Sequence, residues 1–110
     1  MYTVINHIRV VPAHREEFEA QFRANLKHMD GVPGFMRVHV WRPTGEAKED
    51  ALYPHDAYMV QTFWESADAF QAWVGSPSFR ESHREKMPDA WRGGPAMMSR
   101  HALAFGRDGD

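Results

Sequence analysis

The sequence between residues 69 and 83, AFQAWVGSPSFRESH, predicts two helices with a sharp break between them. The apolar residues before the break recur at i, i+3 and i+4, which is the spacing of one face of a helix. The sequence Gly75-Ser76-Pro77 then weakens this helix and is typical of a new start, with serine as the N-cap and proline in the first turn. The chain can therefore change direction between Trp73 and His83.

The second of these helices is predicted to run from Pro77 to Met87. Phe79, His83 and Met87 follow one another at intervals of four, so the histidine falls on the apolar side of the helix. In one unbroken helix Trp73 and His83 would lie about 15 Å apart along the axis, whereas the break lets both side chains face one cavity. An inward histidine opposite a large aromatic residue suits a flat cofactor, although either residue alone is more often part of a core.

The composition is that of a soluble globular domain, with 43% hydrophobic and 25% charged residues and a net charge of −2. Residues 1–106 are predicted to form a single domain, with residues 107–110 as a frayed tail. Lysine and arginine form no basic stripe, which argues against nucleic-acid binding, and no apolar run reaches the length of a membrane span. The absence of cysteine excludes disulfides and thiol catalysis. With no recognisable leader sequence, the expected location is the cytoplasm.

Alternating and helical periodicities along the chain predict the order strand, helix, strand, strand, helix, strand. The predicted strands are Tyr2–Val11, Phe35–Arg42, Ala57–Trp64 and Met97–Phe105, with a first helix from Pro12 to about Asp30, a polar loop from Thr44 to Asp56, and Ser66 as the cap of the broken helix. This order is the α+β, ferredoxin-like arrangement, an antiparallel βαββαβ sheet with both helices on one face. The other face would carry the apolar and aromatic residues Ile5, His7, Phe35, His39 and Trp41. A patch of this kind favours a homodimer packed sheet to sheet.

Asn6 is the exception on the more apolar face of the first strand. A buried amide without partners costs about 1–3 kcal/mol. Asn6 is therefore either a structural amide bonded to nearby backbone or a hydrogen-bond donor aimed into a cavity.

Several short motifs resemble one protein family over nearly the whole chain: VIN in the first strand, VP at the first helix, PGF before and RP after the second strand, and FWES leading into AFQAW. The sequence resembles the antibiotic biosynthesis monooxygenase superfamily of dimeric α+β barrels, and within it the bacterial heme-degrading monooxygenases. PGF and WES are shared with quinone-forming oxygenases of the superfamily. The more specific features are Asn6, Trp73 and His83, together with Phe22 at a position where the family has an aromatic pocket wall.

The resemblance implies a catalytic set of Asn6, Trp73 and His83, with His83 as the ligand of the heme iron. Phe22 and Phe79 are the expected aromatic contacts of the cofactor. Imidazole is a suitable ligand for heme iron, an indole pressed on the ring can distort it, and an amide can hydrogen-bond O2 on the opposite side. Heme would be both cofactor and substrate.

Three functions follow from these residues. The first is a heme-degrading monooxygenase that opens the porphyrin ring with O2 and an external electron donor, either a reductase or a small reductant, and releases iron. The second is a cofactor-free monooxygenase of a polycyclic aromatic substrate, in which Asn6 and Trp73 hold the substrate directly. The third is a dimer that binds heme without turnover. His83 favours the first and third functions.

Overall fold

The computed structural model describes residues 1–45, 56–84 and 86–109. The described elements follow the predicted order: β1 (Tyr2–Arg9), α1 (Arg15–Asn25), β2 (Phe35–Trp41), β3 (Ala57–Trp64), α2 (Ala67–Val74), α3 (Pro77–Ser82) and β4 (Met97–Ala102). Short 3-10 turns lie at Pro12–His14, Leu26–Met29 and Asp89–Trp91. Residues 46–55 of the predicted loop lie outside the described residues. None of the helices in the described ranges is long and apolar enough to cross a membrane.

The four strands form one antiparallel sheet in the order β2-β3-β1-β4. β1 lies inside the sheet, paired with β3 on one side and with β4 on the other. The α+β, ferredoxin-like fold predicted from the sequence is confirmed. The predicted homodimer remains a prediction.

The helices cover the face of the sheet to which the even-numbered residues of β1 point. Val4 and Val10 are buried on this face, whereas their odd-numbered neighbours lie on the opposite, open face. The prediction that Phe35 lies on the open face is wrong, because Phe35 packs on the helix side against Trp64. A β-bulge between Phe35 and Arg37 reverses the alternation there.

The core beneath the helices is divided into two apolar clusters. The α2 cluster has the buried members Val4, Met29, Trp64, Phe70 and Trp73, with Phe79 packed against it. The α1 cluster has the buried members Val10, Phe18 and Tyr58, with Ile8, Phe22, Met87 and Trp91 packed against it. Along β1, Val4 belongs to one cluster and Ile8 to the other, so Asn6 lies at the boundary between them.

Two serine caps produce the break predicted between the helices. The Ser66 and Ser76 side chains each accept a hydrogen bond from the backbone N–H three residues later. The second helix is shorter than predicted, since α3 ends at Ser82 and His83 is its C-cap. Met87 lies beyond it and packs against the α1 cluster. The packing of Met87 on the α1 cluster therefore outweighs the helical spacing that predicted a longer α3.

Candidate active site

The break between α2 and α3 brings Trp73 and His83 together. Their ring centroids are 6.0 Å apart, and Phe79 bridges them. The Phe79 ring meets Trp73 edge to face at 4.9 Å and stacks on the His83 imidazole at 4.0 Å. The predicted proximity of the tryptophan and the histidine is therefore seen in the structure.

Two oxygens lie next to one ring nitrogen of His83. Nδ1 is 2.9 Å from the backbone carbonyl oxygen of Phe79 and 2.9 Å from the Ser82 hydroxyl. The carbonyl oxygen only accepts, so this contact is a hydrogen bond when Nδ1 carries the proton, and the neutral ring then keeps its lone pair on Nε2. His83 is exposed to solvent. In this tautomer Nε2 is available as a ligand, as in many metal-binding histidines.

The helix that carries His83 is fastened to the end of α1. The Asn25 side-chain Nδ2 donates to the carbonyl oxygen of Ser82 at 2.7 Å. The Ser78 hydroxyl donates to the carbonyl oxygen of His28 at 2.6 Å. Sequence analysis did not identify Asn25 or Ser78, because hydrogen bonds between residues 50 or more positions apart leave no local pattern.

Asn6 has its side chain on the helix side of the sheet, at the boundary between the two clusters. Its backbone is held in register opposite Val60 on β3 and Met98 on β4. Within the described residues its amide group makes no side-chain hydrogen bond. The reading of Asn6 as a structural amide bonded to nearby backbone thus finds no support in the described contacts.

The two predicted aromatic contacts lie on opposite sides of that boundary. Phe22 packs against the α1 cluster, and Phe79 packs against the α2 cluster beside Trp73. Trp73 itself is 9% exposed. Its indole nitrogen Nε1 is buried without a hydrogen-bond partner among the described residues.

A separate set of charged and polar side chains, Glu19, Arg42 and Tyr58, joins α1 to the strands. Glu19 accepts hydrogen bonds from the Arg42 guanidinium at 2.6 and 2.7 Å and from the buried Tyr58 hydroxyl at 2.5 Å. The bonds from Arg42, and then that from Tyr58, lower the pKa of Glu19 from 4.5 to about 2. Burial, followed by the bond to Glu19, raises the pKa of Tyr58 to about 12. The group ties the end of β2 to α1.

The sequence pattern of the antibiotic biosynthesis monooxygenase family matches residues 1–85. The chain belongs to this family. The resemblance inferred from the VIN, PGF and WES motifs is confirmed.

Two heme oxygenases are similar to this chain in sequence. The heme oxygenase (staphylobilin-producing) of Staphylococcus saprophyticus is 34% identical over 86 residues, which are 78% of this chain and 76% of that protein. The heme oxygenase (mycobilin-producing) of Mycobacterium tuberculosis is 35% identical over 75 residues, which are 67% of this chain and 63% of that protein.

A solved structure of the same fold is that of the heme-degrader MhuD from Mycobacterium tuberculosis with two hemes bound in its active site. The two chains superpose with a TM-score of 0.76 at 24% identity, and the match covers 98% of this chain and 100% of that chain. At this identity the likeness establishes the fold.

The described residues fit a heme chemically. With its proton on Nδ1, His83 offers Nε2 as a ligand, and two aromatic rings lie beside it. One buried polar group beside His83, the indole Nε1 of Trp73, lacks a hydrogen-bond partner among the described residues. Buried polar groups are rarely left unpaired, and when they are, a ligand or a catalytic role is a common reason.

Proposed function

We propose that this protein is a heme-degrading monooxygenase, which opens the porphyrin ring with O2 and electrons from an external donor and releases iron. The observation that carries the proposal is the state of His83. Its Nδ1 lies 2.9 Å from the carbonyl oxygen of Phe79, which suits a proton on Nδ1 and a free Nε2, and the imidazole contacts both Phe79 and Trp73. The heme oxygenases of similar sequence support the same reaction.

Each residue then has a distinct part in the reaction. His83 would hold the iron through Nε2, and Trp73 would press on the porphyrin ring and favour its opening. Asn6 would offer a hydrogen bond to O2, and its position in β1 would fix the direction of the donor. Phe22 and Phe79 are the apolar walls that exclude water. Heme supplies the iron chemistry and is itself the substrate.

The electron donor is a reductase or a small reductant, and the reaction takes place in the cytoplasm. The protein acts as a homodimer formed through the open face of the sheet. This face carries Ile5, His7, His39, Trp41, Phe63 and Met97, and Trp41 and Met97 are 52% and 46% exposed. Apolar exposure of this extent on one face favours self-association.

The test is a hemin titration of the purified protein, followed by ascorbate under air. Catalase is present, because free hydrogen peroxide bleaches heme without an enzyme. We expect one heme per subunit, loss of the Soret band only after ascorbate is added, and release of iron to a ferrous chelator.

Two results would contradict the proposal in different ways. A stable Soret band after ascorbate, at full heme occupancy, would make the protein a heme-binding dimer without turnover. Failure to bind hemin, together with O2-dependent oxidation of a polycyclic phenol, would favour the cofactor-free monooxygenase.

A further inference from the structure

We propose that Asn25 is a positioning residue for His83, acting through the peptide bond between Ser82 and His83. The inference rests on the proposed function, in which His83 binds iron. Its basis is the 2.7 Å hydrogen bond from Asn25 Nδ2 to the Ser82 carbonyl oxygen, which joins the last residue of α1 to the last residue of α3.

The Ser82 carbonyl belongs to the same planar peptide as the backbone nitrogen of His83. That nitrogen donates to the carbonyl oxygen of Phe79 at 3.1 Å, and Nδ1 of the same histidine lies 2.9 Å from the same oxygen and 2.9 Å from the Ser82 hydroxyl. Backbone and imidazole of His83 are therefore both tied to Phe79 O. Holding the Ser82 carbonyl fixes the plane of this peptide, and so fixes the direction of Nε2.

α3 cannot hold that direction alone, because it has six residues and isolated helices shorter than about 12 residues are marginal in water. The bond from Ser78 to the His28 carbonyl is a second clamp, one turn before the first on α3. Phe22 lies one turn before Asn25 on α1. Helix α1 thus carries Phe22, one apolar wall of the site, and Asn25, the donor that fixes the position of His83 on the other side.

A simpler role for Asn25 is to satisfy one of the C-terminal carbonyls of α3, which have no partner within the helix. Both roles predict some loss of stability when Asn25 is replaced. Only the positioning role predicts a loss that depends on the bond between iron and imidazole. Metal-free protoporphyrin separates the two, because it fits the same walls and takes no axial ligand.

The experiment compares hemin and metal-free protoporphyrin affinities for the wild type, Asn25→Ala and Asn25→Asp. Aspartate keeps the shape of the side chain and removes the N–H donor. We expect hemin affinity to fall roughly 3–30-fold, as for loss of one part-buried hydrogen bond between coupled residues. The Soret band of bound hemin should shift, and protoporphyrin affinity should not change. Lys27→Ala, an exposed position two residues away, is the matched control.

A double-mutant cycle with His83→Ala completes the test. Once the imidazole is gone, Asn25→Ala should have no further effect on hemin affinity. Equal weakening of both porphyrins, or additive losses in the cycle, would overturn the positioning role while leaving heme degradation in place. A wild type that binds neither porphyrin overturns the proposed function and this inference together. Ser78→Ala provides the same comparison should an Asn25 variant fail to fold.

Discussion

His83→Ala should remove the iron ligand at little cost to the fold. The His83 side chain is exposed, stacks on one ring at 4.0 Å and makes a 2.9 Å hydrogen bond from Nδ1 to the Phe79 carbonyl. An aromatic contact contributes about 0.5–1.5 kcal/mol, and a typical hydrogen bond contributes a net of about 0.5–1.5 kcal/mol. Because exposure weakens both, we expect the free energy of unfolding to fall by about 1–2 kcal/mol out of the roughly 5–15 kcal/mol usual for a domain.

The effect on heme should be far larger. Loss of a residue that only supports a metal ligand commonly costs about 10–100-fold in affinity. Loss of the ligand itself should therefore weaken ferric heme binding by at least that factor and move the Soret band. Urea unfolding followed by circular dichroism measures the first quantity, and hemin titration measures the second. His101→Ala is the matched control, since His101 is an exposed histidine in β4 whose ring, among the described residues, hydrogen-bonds only with the Ser99 hydroxyl.

Two outcomes would refute this reasoning. An unchanged Soret band and affinity in His83→Ala would mean that another residue binds the iron. A loss of more than about 3 kcal/mol in unfolding free energy, a size typical of buried core truncations, would mean that His83 is a structural residue despite its exposure.

Trp73→Ala should lower the unfolding free energy by about 3–5 kcal/mol, whereas Trp73→Phe should keep the fold and heme binding yet slow ascorbate-driven Soret loss; equal rates for wild type and Trp73→Phe would exclude a catalytic role of the indole. Asn6→Ala should leave the melting temperature and heme affinity nearly unchanged and reduce the degradation rate roughly 10²–10³-fold, as for loss of one positioned donor; a normal rate at full heme occupancy would contradict this. Since Glu19 has a lowered pKa, its contribution to stability is complete above pH 4.5 and is lost as the pH falls towards about 2. Glu19→Gln should therefore flatten the acid limb of a plot of melting temperature against pH. An unaltered limb would mean that Glu19 does not contribute to stability in this way. Trp41→Glu on the open face should yield a folded monomer in sedimentation velocity, and a dimer of unchanged affinity would place the interface elsewhere.

The order of strands and helices could be predicted because its signals are local. Proline, glycine and serine mark the helix boundaries, and Ser76 forms the N-cap expected of it. The meeting of Trp73 with His83 was also predictable, since a break between two short helices allows their side chains to converge. The family match covers residues 1–85, which include both of these features.

Features that depend on distant residues could not be predicted. The spacing of Phe79, His83 and Met87 indicated a longer helix, but Met87 gains more by packing on the α1 cluster than by extending α3. Phe35 was placed on the wrong face because a bulge leaves no clear mark in the sequence. Pairings such as Glu19 with Tyr58 join residues 39 positions apart, which no periodicity reveals.

In the proposed site, Asn6 lies on an interior strand and His83 lies at the end of a short helix, so the two sides should differ in mobility. Strand β1 is hydrogen-bonded along both edges, so its amide protons should exchange with solvent only when the whole domain unfolds. α3 is held mainly by a few hydrogen bonds and can open locally at a much lower free energy. In the proposed site, a broad, rigid ligand should therefore enter and leave by displacement of the His83 side, while the Asn6 amide stays in place.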